Sequence, residues 1–99
     1  MGVGTDNTAF AASQTKLNPS VAGSVSLQAL DATFPSRSAE VATYQSTYAT
    51  GTANFAWAEI GLFDGTTNGT SKMLNRIVIG PFTKSSSVSI VAIVTLTQS

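Results

Sequence analysis

Glu59 is the side chain of this sequence best placed to do chemistry. It follows Trp57-Ala58 and precedes Ile60, inside an apolar run where a carboxylate is costly to desolvate unless something pairs with it. An acid in such surroundings can serve as a catalytic base, its proton affinity shifted by burial. It can equally be a structural anion matched to a cation. Arg76 lies on the next apolar run, a few positions from facing Glu59 across a hairpin. There is no histidine, and no second carboxylate or lysine stands at a spacing that would complete an acid–base pair. The expectation is a buried structural pair, Glu59 with Arg76, and no catalytic residue.

The other candidates are weaker. Asp64-Gly65-Thr66-Thr67-Asn68-Gly69 is rich in oxygen ligands, but it lacks the spaced acidic residues and bidentate glutamate of a calcium loop. Asn68-Gly69 is a strong hairpin-turn signal and accounts for the segment without a metal. Asn68-Gly69-Thr70 also has the form of a glycosylation sequon; no export signal is visible to go with it, so it reads as turn. Gly2-Val3-Gly4 has the first two glycines of a dinucleotide fingerprint without the preceding strand, third glycine or helix. Tyr44 and Tyr48, flanking Gln45 on a polar strand, are the aromatics expected at the surface, where they could stack on a sugar. Trp57, Phe55 and Phe63 are expected in the core.

Composition narrows the classes further. The 99 residues include no cysteine, five basic and five acidic side chains. Thiol chemistry, disulfides, Ser-His catalysis and Cys/His zinc sites are excluded. A net charge of zero argues against nucleic acid, whose binding rests on Lys and Arg neutralising phosphates. The longest apolar stretch, residues 90–94, is far short of the ~20 residues of a membrane-spanning helix. No cofactor, metal, membrane or small-molecule substrate is expected.

The elements that must position these residues read as strands. Serine and threonine make up 27 residues and glutamate only two, a balance that favours pleated structure over surface helix. Period-two alternation runs through residues 24–29, 39–50, 54–64, 73–82 and 88–97. Residues 54–64 are apolar on both faces, as in a central strand covered on each side. Turn chemistry separates the runs. The expected fold is all-β: a small antiparallel β-sandwich, jelly-roll or Greek-key-like, over residues 25–99. Residues 1–24, rich in Gly, Ala, Ser and Asn, are expected to form an irregular N-terminal arm or lead-in, free to reach a neighbouring subunit. The expected core is Phe55 or Ala56, Trp57, Ile60, Leu62, Ile77, Ile79, Ile90, Val94 and Leu96.

Several segments together resemble a known family. Ala53-Asn-Phe-Ala-Trp-Ala-Glu-Ile-Gly-Leu-Phe-Asp64, then Met73-Leu-Asn-Arg76, then a closing strand ending Val94-Thr-Leu-Thr97, is similar to small structural proteins of tailed bacteriophages. Gly2-Val3-Gly4-Thr5-Asp6-Asn7-Thr8-Ala9 and Thr15-Lys16-Leu17 resemble that family's lead-in, and the matching segments cover about half of the chain. The resemblance implies a non-enzymatic virion protein, made in the bacterial host cytoplasm and carried on the capsid surface. It implies a capsid decoration (cement) protein that forms a homo-oligomer and clamps subunits of the major capsid protein. Tail, collar or fibre modules of the same virions are the alternative, and a carbohydrate-binding host-surface module is a third. A fibre is more often a longer chain with repeats, and this chain has none.

Overall fold

Alternation becomes strand wherever it runs long enough. The computed structural model describes residues 1–19 and 23–97, and no helix occurs among them. Seven strands form: β1 (Gly2–Gly4), β2 (Val25–Leu27), β3 (Ser36–Ser38), β4 (Val41–Tyr48), β5 (Ala56–Phe63), β6 (Met73–Thr83) and β7 (Ile90–Thr97). They make two antiparallel sheets, one in the order β2-β1-β5-β6 and one in the order β3-β4-β7. The chain is a small β-sandwich. Residues 20–22 of the expected lead-in and 98–99 of the expected domain lie outside the described residues.

The sandwich closes on side chains that alternation turns inward. In the three-stranded sheet, Tyr44, Ser46 and Tyr48 pair with Val94, Ala92 and Ile90 in register. Opposite them the four-stranded sheet offers Val3, Ile60 and Leu62. Trp57 lies at the centre, 1 % exposed, edge-on to Tyr48 with ring centroids 4.9 Å apart. Its indole N–H donates to the Ala53 carbonyl, so no polar group is stranded. Ile60, Ile79, Ile90 and Phe55 pack against this cluster from its margin.

Four expectations need correction. Residues 2–4 are not part of a loose arm. They form β1, hydrogen-bonded between β2 and β5, and Met1 and Val3 are buried in the core. Among the described residues the lead-in beyond Gly4 has no strand, and its Leu17 is fully buried against the sheet. Ile77 and Leu96 are not core: they are 40 % and 37 % exposed. Both lie on strands at the edge of their sheets, where the inward face is only partly roofed. Ala56 is exposed too, leaving Phe55 as the partly buried member of that pair. Tyr48 is not a surface aromatic; it is fully buried, and Tyr44 packs against the core beside it. A strand whose other face is Thr43, Gln45 and Thr47 presents that polar face to water and turns its tyrosines inward.

Candidate functional site

The residues with chemical potential converge on the outer face of the four-stranded sheet. Directly paired residues on neighbouring strands share a face, and the register aligns Gly4 with Glu59 and Val78, and Gly2 with Gly61 and Arg76. Three glycines therefore line a trough with Glu59 and Arg76 at one end. A Cβ at Gly4 would strike the Glu59 carboxylate. A Cβ at Gly61 would stand 2.9 Å from the Phe63 ring and 3.0 Å from Leu17, and one at Gly2 3.0 Å from Leu17. The missing side chains make room for the returning chain. Gly2-Val3-Gly4 is thus a packing device, which also explains why it has no helix to cradle a phosphate.

Residues 6–18 lie over that trough and are tied down by charge. Arg76 Nε donates to Glu59 Oε1 at 2.6 Å, and both side chains are fully buried. The carboxylate also accepts the backbone N–H of Asp6 at 3.1 Å and of Asn18 at 2.9 Å. The guanidinium spends its remaining donors on the same segment. Nη1 reaches the Thr8 carbonyl at 2.7 Å and Gln14 Oε1 at 3.1 Å, and Nη2 the Asp6 carbonyl at 3.0 Å. A buried ion pair is sustainable only when its other lone pairs and protons are matched in this way. Asp6 turns its carboxylate back to cap Thr8, through both the backbone N–H and the hydroxyl.

Asn68 and Gly69 contribute more than a turn. β5 and β6 pair as a hairpin, but pairing stops at Phe63 and Met73, so residues 64–72 form a wide loop rather than a two-residue turn. Gly69 has φ +85°, a conformation that suits glycine. The Asn68 amide leaves the loop and bonds Leu17, accepting its N–H at 2.9 Å and donating to its carbonyl at 3.3 Å. Asp64, the candidate calcium ligand, accepts the Lys72 N–H, and Ser71 Oγ accepts the Thr67 N–H. Among the described residues no cluster of three or more Asp or Glu side chains is placed to hold a metal.

Two further polar networks escaped the sequence. Lys84, just past β6, is 2 % exposed; its ammonium reaches the Ala49 carbonyl and Asn54 Oδ1, each at 2.8 Å. It fastens the β4–β5 connection to the end of β6. Asp31 accepts from Gln45 Nε2 and Thr47 Oγ1, which hold its carboxyl below the ordinary range. The Gln45 amide that was to flank a sugar is committed there. A lysine beside three serines looks like solvated turn, and nothing in the local pattern marks Lys84 as buried.

What this arrangement can do chemically is limited by access. Glu59 has no exposed surface and its two oxygens receive three donor groups. A groove of about 300 Å³ around Gln14 and one of about 240 Å³ around Leu30 and Phe63 open on the surface, and neither is lined by Glu59 or Arg76. The site holds chain against chain. No family model, curated protein or solved structure matches this chain.

Proposed function

We propose that this chain is a non-enzymatic structural protein of a tailed-bacteriophage virion, a decoration protein that oligomerises and clamps subunits of the major capsid protein. One observation carries the proposal. The residues of the phage-protein resemblance, Gly2, Gly4, Glu59, Gly61 and Arg76, meet in one buried lock that fastens residues 6–18 to the sheet. Residues that distinctive and that inaccessible serve a frame. The exterior left to meet partners is Ser/Thr-rich, neutral and studded with aliphatic side chains along the edge strands. Such a surface binds by shape, apolar burial and hydrogen bonds rather than by field.

The N-terminal residues do not form a free arm, because residues 2–4 are a strand of the sheet and Asp6, Thr8, Gln14 and Asn18 are bonded to Glu59 and Arg76. The contact surface is the edge strands. Attachment to shells should therefore resist salt, which screens mainly exposed charges. The test is to bind the purified chain to shells of its virus and wash at ~1 M salt, where screening lengths fall to about 3 Å. Retention supports the proposal. Absence of binding at any salt, or full release by salt alone, contradicts it.

A further inference from the structure

We infer that Asn68 is a site of spontaneous deamidation governed by its hold on Leu17, and that the modification unfastens residues 14–18. Asparagine is among the thermally labile residues, and the residue after it decides how readily it reacts. The backbone nitrogen of that residue attacks the side-chain carbon Cγ and a C–N bond forms. Nδ2 leaves as ammonia, taking up the amide proton of the attacking nitrogen. Water then opens the cyclic imide to aspartate or, at its other carbonyl, to isoaspartate. Of the five asparagines only Asn68 is followed by glycine; the others precede Thr8, Pro19, Phe55 and Arg76. A side chain on the following residue obstructs the approach of its nitrogen, and proline has no N–H to lose. Glycine obstructs nothing.

The loop exposes this dipeptide and the strap restrains it. Residues 64–72 form the wide connection between β5 and β6, and Gly69 is exposed in it with φ +85°. The Asn68 side chain is held from outside the loop. Oδ1 accepts the Leu17 N–H at 2.9 Å and Nδ2 donates to the Leu17 carbonyl at 3.3 Å. Two bonds fix the plane of an amide, whereas the attack bends Cγ out of that plane and expels Nδ2, one of the bonded atoms. Lys16 adds cover, its Cδ standing 4.0 Å from where a Gly69 Cβ would lie. The reaction therefore runs through the fraction of molecules in which residues 14–18 have lifted. Segments without regular structure open in this way at low cost.

The product cannot restore the hold. A carboxylate only accepts hydrogen bonds, so the Leu17 carbonyl loses its donor and faces a negative charge instead. Isoaspartate also carries the main chain through its side-chain carbon, which lengthens the loop and shifts it against Leu17. Residues 14–18 are then kept by Gln14 on Arg76, by Asn18 on Glu59 and by the buried Leu17 side chain. The strap lifts more often, and the change runs one way because the ammonia is lost to solvent. It also adds one negative charge to a chain whose net charge is zero, which makes the event simple to follow.

The experiment incubates the purified chain in mildly alkaline buffer, folded and in guanidinium chloride, and follows it by isoelectric focusing and peptide mass mapping. The unfolded chain should gain an acidic species modified at Asn68, part of it isoaspartate. The folded chain should form the same species at least ~tenfold more slowly, since only the open fraction reacts. Gln14→Ala removes one contact of the strap with Arg76. It should raise the folded rate several-fold and leave the unfolded rate unchanged. Asn68→Asp, the product made directly, should fold and show amide exchange at residues 14–18 about tenfold faster, the worth of one lost hydrogen bond. Equal rates in the folded and unfolded chain would overturn the inference. So would an unfolded chain that leaves Asn68 intact, a folded chain modified first at another asparagine, or unaltered exchange at residues 14–18 in Asn68→Asp. The comparison of folded with unfolded chain needs no variant, so it decides the matter even where a substitution impairs folding.

Discussion

The Asn68 side chain holds Leu17 by both of its backbone groups, as a neighbouring strand would, across 51 positions of sequence. One amide thereby joins the β5–β6 loop to the segment that roofs the four-stranded sheet. Asn68→Ala strands a partly buried N–H and C=O at once, and each unmet group costs about 1–3 kcal/mol. The expected loss is about 2 kcal/mol in urea denaturation, with faster amide exchange confined to residues 14–18. An unchanged midpoint would mean that Leu17 is held by its side chain alone.

Glu59 and Arg76 should show the asymmetry of a buried ion pair. Glu59→Gln or Arg76→Met alone strands a charge and should cost about 3–5 kcal/mol. The double variant should be milder than the sum, since it strands no charge. Additive losses in a double-mutant cycle would show that the two act independently.

The trough predicts a contrast between glycines. Gly61→Ala must push its methyl toward the Asn75 carbonyl at 3.2 Å and the Phe63 ring at 2.9 Å, and overpacking of that kind costs about 1–3 kcal/mol. Gly51→Ala meets nothing within 4 Å and should be neutral or stabilise by up to ~1 kcal/mol through the unfolded state. Thermal unfolding of the two variants is a direct comparison. Equal effects would mean that the trough has slack.

Tyr48 gives the protein an alkaline limit. Its phenol is buried, donates to the Met1 carbonyl at 3.0 Å, and burial pushes its pKa above the ordinary 10.0. Above pH 10 the unfolded chain loses this proton while the folded chain keeps it, so unfolding releases a proton and stability falls as pH rises. The contribution is fully present below pH 10. Tyr48→Phe should lose about 1 kcal/mol at neutral pH and flatten the decline above pH 10 attributable to this residue. A decline of the same slope in the Phe variant would assign it to another group.

The parts of this architecture that could be read from residues are those that depend on alternation. Residues 39–50, 54–64, 73–82 and 88–97 carry long period-two patterns, and each contains a strand. β1 was hidden because half of its alternation is glycine, which leaves no pattern, and β3 because Ser36, Arg37 and Ser38 are all exposed. Glu59 announced a partner because a carboxylate among apolar neighbours must have one. Asn68 and Lys84 did not, since their partners are 51 and at least 30 positions away and their neighbours are ordinary turn residues. Ile77 and Leu96 read as inward because alternation names a face and says nothing about which strands end a sheet.

The same packing changes what a truncation means. Removing residues 2–18 deletes β1 from the sheet interior and Leu17 from the trough. It should unfold the domain rather than release a clamp, and the circular dichroism of the truncated chain should lose its β signature. A truncated chain that folds would return these residues to the role of an arm.

The proposal that this chain decorates a shell is tested most directly by counting its copies in purified particles of its virus with isotope-labelled peptides and quantitative mass spectrometry. A capsid role predicts copies on the order of hundreds per particle, in fixed ratio to the major capsid protein, since shell symmetry repeats every site. A dozen copies or fewer would place the chain in the tail, and none at all would remove it from the virion.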